Sequence, residues 1–359
     1  MCITTVVPAG AAGTTANPAG IAIAMIIYFV AMIMIGIYGY TRSKSLDDYM
    51  LGGRDLPPFV AALSAGAADM SGWLMMGLPG AMYLSGIFNG WIAIGLTVGA
   101  WINWLVTAPR LRAYTEVAGD SITVPSFFSN RTHDDSKIIR YVAGIIIVVF
   151  FTLYVSSGMV AGGTFFKSTF GWDYHVGMVF VAGIVILYTL VGGFLAVSWT
   201  DMVQGLIMMV ALVAVPIMGL VVIGGFGGVA EGLSTTGDNS LLNPLGTGLD
   251  AVGWMDWISN VAWGFGYFGM PHIIVRFMAL RSPRQATPAR RFWLGWMVFC
   301  LVGTGMTAII GRAMSEKGII PDLMPKEGVE GNPQETVFLV MGTTPVSYTH
   351  LTLPTNREV

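Results

Sequence analysis

Asp69 lies in "LSAGAADMSGWLMMGLPGA" (Leu63–Ala81), a stretch with no other charge but with Gly66, Gly72, Gly77, Pro79 and Gly80. A carboxylate in the middle of an apolar span costs about 2.5–3.5 kcal/mol to insert and persists where it faces a cavity, a partner or an ion. The glycines flanking "AADMS" and the Pro79-Gly80 pair weaken helix continuity around it. An unwound stretch frees backbone carbonyls. Together with the carboxylate and the Ser71 hydroxyl these make the oxygen-rich set that a small hard cation takes. Irregular backbone at membrane depth is tolerated only where protein or a cavity satisfies it. Na⁺ fits this chemistry, and H⁺ coupling through the same Asp fits the sequence as well. The competing reading is an Asp hydrogen-bonded to a neighbouring helix purely for packing.

A second interrupted span, "AWGFGYFGMPH" (Ala262–His272), carries Gly264, Gly266, Gly269 and Pro271 interleaved with Trp263, Tyr267 and Phe268. Paired Gly/Pro-broken spans are the best sequence pointer to a transporter's binding site. The aromatics would form an apolar wall with the Tyr267 hydroxyl as an orienting handle; the alternative is an aromatic helix packed against lipid. Tyr154, Ser156 and Ser157 are polar within another span, where interhelical hydrogen bonding competes with a binding role for Tyr154. The "SWTDMVQG" segment (Ser198–Gly205) reads as a short turn that leaves Asp201 near an inner surface. His272 reads as a satisfied helix residue rather than a proton relay.

These residues need a bilayer around them. Of 359 residues, 54% are hydrophobic and 11% charged, against about 25% charged in soluble domains; the mean hydropathy is +0.69. The class is an all-α polytopic membrane protein. Spans are expected at about Ile21–Tyr40, Pro58–Leu84, Trp91–Pro109, Ile138–Phe166, Val176–Ser198, Met202–Gly225, Val252–Phe277 and Phe292–Arg312. Basic residues gather after the first span (Arg42, Lys44, Arg54), the third (Arg110, Arg112, Arg131, Lys137, Arg140) and the seventh (Arg276, Arg281, Arg284, Arg290, Arg291). That asymmetry puts these loops in the cytoplasm and the N-terminus outside. The net charge of −2 gives no reason to expect nucleic acid, and two cysteines, Cys2 and Cys300, define no metal or disulfide framework. No basic start precedes the first apolar run, so that run reads as a retained helix.

The strings "LGGRDLPPFVAALSAGAADMSGWLMMGLPGA", "WIAIGLTVGAWINW", "GGFLAVSWTDMVQ" and "WGFGYFGMPHIIVRFMA" closely resemble the sodium/proline symporters of the sodium:solute symporter family, from about residue 20 to 342. The resemblance implies a leucine-transporter-like inverted-repeat fold: an extra first helix (21–40), a five-helix repeat (58–225) and the first two helices of a second (252–312). It implies Asp69 as the sodium-site acid with Ala67 and Met70 as backbone-carbonyl ligands. Ser71, Gly72 and Trp73 match the adjoining stretch next to the substrate, and Tyr154, Trp263, Tyr267 and Pro271 match positions lining the solute pocket. Arg54 and Asp201 match polar residues linked to coupling near the cytoplasmic side. Asn89 stands where an acid is expected, in an outer loop.

Relatives of this kind continue through about five more helices, the ninth carrying a Ser-Thr pair that completes the sodium site. Here the family pattern stops near Gly342, and "TTPVSYTHLTLPTNREV" (343–359) reads as non-native sequence on a truncated coding region of about 8 of 13 helices. The 1–20 segment reads as an outer leader. The expected function is Na⁺-coupled uptake of L-proline across a bacterial inner membrane, with this chain an incomplete carrier that does not transport by itself. Na⁺ is the coupling ion, with the lipid bilayer as surroundings and no organic cofactor or obligate protein partner implied. Alternatives are a symporter for another small solute, with H⁺ or Li⁺ open as coupling ions, or the membrane input module of a sensor. An enzyme is disfavoured, since no nucleophile–base pair or clustered metal set is apparent.

Overall fold

The structure is a computed structural model that describes residues 18–237, 240–246, 251–326 and 332–351. Most of the 1–20 leader, with Cys2, lies outside the described residues, as does 352–359. Thirteen α-helices are described: α1 (Pro18–Arg42), α2 (Leu46–Leu51), α3 (Pro58–Met70), α4 (Gly77–Ser85), α5 (Gly90–Val117), α6 (Val124–Arg131), α7 (Ile138–Phe170), α8 (Tyr174–Ile223), α9 (Gly225–Ser234), α10 (Ala251–Ala262), α11 (Pro271–Met278), α12 (Ala286–Glu316) and α13 (Val337–Leu351). A parallel bridge between Leu56 and Leu280 is the β pairing seen among the described residues.

Five helical stretches are long and apolar enough to cross a membrane, against eight spans expected. The difference has two physical causes. The second and seventh expected spans are each broken, so neither half-helix is long enough to cross alone. The fifth and sixth are joined in α8, whose 50 residues would reach about 75 Å if straight, more than twice a ~30 Å hydrocarbon core. The chain bends instead at Gly193, with φ 61 and ψ −160. A Cβ there would stand 2.8 Å from the Tyr49 carbonyl oxygen, so glycine is required on both counts.

That bend corrects the sequence reading of Asp201. Ser198–Gly205 is not a turn but continuous helix in the second arm of α8, and Asp201 is 8% exposed. Helix α5 likewise runs on through Pro109 to Val117 and carries Arg110 and Arg112 with it; Arg112, expected in a loop, is buried. Arg276 is also not a loop residue: it lies in α11 and is buried. Helix α5 continues past Pro109, where the third span was expected to end, whereas Arg276 already fell within the seventh expected span.

The centre of the molecule is α3, packed between α8, α11 and α12. Its residues Ala61, Ala62, Ser64, Ala65, Gly66 and Ala67 are small and buried, which lets neighbouring backbones approach closely. A Cβ on Gly66 would fall 2.6 Å from the Trp296 ring; that indole in turn donates to the Gly205 carbonyl at 2.8 Å. By contrast α7 buries none of its apolar window and exposes Ile145, Val148, Phe150 and Leu153, the surface of a lipid-facing helix. Helix α13 (Val337–Leu351) runs uninterrupted past Gly342.

Candidate functional site

The first break follows α3. Helix geometry ends at Met70, and Ser71 takes φ 43 and ψ −152, a left-handed backbone rare outside glycine. A short 3-10 turn, Ser71–Leu74, follows before α4 starts at Gly77. Asp69 therefore sits on the last turn of α3, immediately before the break. The Ser71 N–H closes onto the Ala67 carbonyl, and the buried Thr304 hydroxyl of α12 donates to the Leu74 carbonyl at 3.0 Å.

The second break separates α10 from α11. Trp263–Phe268 is a 3-10 segment, and Pro271 opens α11 at its first positions, where a missing N–H costs nothing. Tyr267 is 2% exposed, and its hydroxyl donates to Asp69 Oδ2. Across the same gap the Tyr154 hydroxyl, from α7, donates to the Ala68 carbonyl at 2.5 Å and lies 3.5 Å from that of Asp69. The Trp73 and Trp263 rings stack at 5.5 Å between centroids. Asp69, Tyr154 and Tyr267, drawn from α3, α7 and the second broken segment, thus meet at one place, and the Trp73–Trp263 stack joins the two broken segments. Met70 is buried beside them and Ala67 is 7% exposed. Gly72 has room, since an added Cβ would meet the Ala161 methyl at 3.7 Å.

Arg54 and Asp201 are engaged elsewhere. Arg54 pairs with Asp120 at 2.8 Å and donates to the Thr115 hydroxyl (3.0 Å) and the Ser121 carbonyl (3.0 Å), tying the α2–α3 connection to the end of α5. Asp201 Oδ2 accepts from Arg276 at 2.6 Å and from the Ser64 hydroxyl at 2.8 Å, while Arg276 Nε lies 2.5 Å from the same hydroxyl. The guanidinium also donates to the His272 carbonyl. This buried ion pair fastens α3, α8 and α11 together.

Sequence reasoning missed Ser64, Asn103, Arg276 and Thr304. A lone acid and a lone base in two apolar runs, Asp201 and Arg276, could have been paired, since buried charges need partners. Single polar residues such as Asn103 and Thr304 gave no comparable signal. His272 also differs from expectation. Its ring stacks on Tyr154 at 5.2 Å and meets Phe151 edge-on at 5.3 Å, yet neither ring nitrogen has a hydrogen-bond partner among the described residues. It is held by aromatic contact, not by a satisfied polar one. No group of three or more His, Cys, Asp or Glu side chains converges among the described residues.

Known proteins share this architecture. The sodium:solute symporter family model matches residues 49–345. The high-affinity proline transporter PutP of Bacillus subtilis (strain 168) is 51% identical over 312 residues, 87% of this chain and 63% of that protein. A sodium/proline symporter of Staphylococcus aureus (strain JH9) is 47% identical over 317 residues, 88% of this chain and 59% of that protein. The chain thus spans about three-fifths of the length of the curated relatives it matches. A solved Na⁺-coupled sialic acid symporter, in a substrate-bound outward-open state, superposes with a TM-score of 0.71 at 17% identity, covering 90% of this chain and 69% of that one. At that identity the likeness speaks for the fold, which is the leucine-transporter-like one expected. With the family match spanning both broken helices, this multi-pass membrane chain belongs to the sodium:solute symporter family.

Proposed function

We propose that the protein is a secondary carrier, or the N-terminal part of one, that couples inward movement of Na⁺ to uptake of L-proline across the bacterial inner membrane, with its N-terminus outside. The substrate reading leans on the proline-transporting relatives at 47–51% identity. The observation that carries the coupling is the Tyr267 hydroxyl donating to Asp69 Oδ2 across the two breaks.

In this reading Na⁺ is held by the Asp69 carboxylate with the main-chain oxygens of Ala67 and Met70. Ser71, Gly72, Trp73, Tyr154, Trp263, Tyr267 and Pro271 face the solute. Tyr267 faces the solute and its hydroxyl also rests on the carboxylate that takes the cation, and that link supplies the coupling. A cation on the carboxylate competes with the hydroxyl for Oδ2. The hydroxyl is then released to donate to the solute's carboxylate, so each ligand favours the other. Alternating access would move the unit that begins at 58 against the one that begins at 252. Arg54 and Asp201 would fasten the cytoplasmic side of that movement. No covalent chemistry is called for.

The test is sodium-dependent uptake of labelled proline in cells lacking their own proline carriers. It is run on this chain and on the chain continued with the C-terminal part of the Bacillus subtilis relative. Asp69→Asn removes most sodium-dependent uptake while membrane insertion persists, because it deletes a cation ligand and relieves an insertion cost. Wild-type-like uptake at low Na⁺ in that variant refutes the assignment.

A further inference from the structure

Helix α5 is built as a template for the second break. Gly95, Gly99 and Asn103 recur every four residues and are buried along one stripe. Facing them are Val261, Gly264 and Tyr267, which recur every three. A Cβ on Gly95 would stand 2.8 Å from the Val261 Cα, and one on Gly99 would stand 2.5 Å from the Gly264 Cα. The third step is a bond: Asn103 Nδ2 donates to the Tyr267 carbonyl at 2.8 Å.

Val261 lies in the last turn of α10, and Gly264 and Tyr267 lie in the 3-10 segment, where the two spacings agree over the final step. Four α-helical residues advance about 6 Å, and three 3-10 residues also advance about 6 Å and complete a full turn, so that i and i+3 eclipse. In an α-helix three residues advance about 4.5 Å and fall about 60° short of a turn. Tyr267 would then rotate away from the stripe and carry its hydroxyl off Asp69.

Asn103 has little reason to be present for packing alone. It is fully buried, and its Oδ1 has no partner among the described residues. An orphaned buried acceptor is a cost that an apolar residue of similar shape avoids. The bond its amide makes to Tyr267 is what it supplies.

We propose that Asn103 is a positioning residue of the ion-coupled site. Its amide locks the Trp263–Phe268 segment in the 3-10 register along α5 and thereby sets the Tyr267 hydroxyl on Asp69. This rests on the reading of Asp69 and Tyr267 as a shared sodium and solute site.

Two measurements test it. Hydrogen–deuterium exchange of the purified chain in lipid nanodiscs reads the amides of Gly264–Gly269 directly. Asn103→Leu speeds their exchange about threefold to tenfold, the size of one lost hydrogen bond, while α12 is unchanged. In the carrier continued with its relative's C-terminal part, Asn103→Leu raises the proline concentration for half-maximal uptake by a similar factor, because the hydroxyl that turns to the solute is no longer held at the site. In a Tyr267→Phe background it adds nothing further, because the group it positions is already gone. A role in folding alone would add in full in both backgrounds.

Should Asn103→Leu fail to reach the membrane, Gly99→Ala serves in its place, since its methyl pushes the same segment off the stripe. Unchanged exchange across Gly264–Gly269, or a proline shift of full size in the Tyr267→Phe background, overturns the proposal. Absence of sodium-dependent proline uptake by the unmutated carrier overturns the functional reading instead, and the exchange experiment then decides the register lock alone.

Discussion

Arg276→Met isolates what the buried ion pair contributes. The guanidinium meets Asp201 Oδ2 at 2.6 Å, with side chains 5% and 11% exposed, and the Ser64 hydroxyl completes the contact at 2.8 Å from the same oxygen. Removing the cation leaves a carboxylate with a single hydroxyl donor in the interior. Breaking such a pair by deleting one partner costs about 3–5 kcal/mol, whereas replacing both charges by apolar residues is often close to neutral. Arg276→Met is therefore expected to lower the apparent melting temperature by about 6–10 °C. The Asp201→Leu/Arg276→Met double variant recovers most of that loss, with a coupling energy of about 3 kcal/mol. Thermal challenge of the detergent-solubilised protein, followed by fluorescence-detected size exclusion, reads both. A shift under about 2 °C for Arg276→Met, or a double variant whose loss equals the sum of the singles, would show that the pair is solvated and does not hold α3, α8 and α11 together.

Three further outcomes follow from local geometry. Tyr154→Phe deletes the donor to the Ala68 carbonyl beside Asp69. It should raise the proline concentration for half-maximal uptake about threefold to tenfold, more than it raises the Na⁺ requirement, and unchanged proline dependence would return Tyr154 to packing. Gly66→Ala places a methyl 2.6 Å from the Trp296 ring and should cost about 1–3 kcal/mol through overpacking, measurable as a lowered melting temperature that Trp296→Phe partly restores. Gly193→Ala forces a side chain into φ 61, ψ −160 against Tyr49. It should cost about 1–3 kcal/mol and show as reduced membrane abundance, which an unstrained bend would leave unchanged.

The two helix breaks of this protein were legible in its sequence because the bilayer makes them so. A charge or a glycine cluster in an apolar run carries a large cost, and the cost marks a candidate site. Asp69 with its flanking glycines, and Trp263 to Pro271 with theirs, could be read as two interrupted helices before any coordinates. The structure breaks the chain at both places. Which residues meet across those breaks could not be read in the same way. The Tyr267 hydroxyl reaches Asp69 at a sequence separation of 198, and Arg276 reaches Asp201 at a separation of 75; no local periodicity encodes a contact so far along the chain. Asp201 shows why. As a sequence it was an acid beside a turn signal, and as a structure it is a buried counter-ion, because the true bend falls at Gly193 and draws the next two turns of helix inward. Local residue types fix where a helix must yield. Only the packing of α5, α8 and α11 against the breaks decides what the yielded backbone is turned toward.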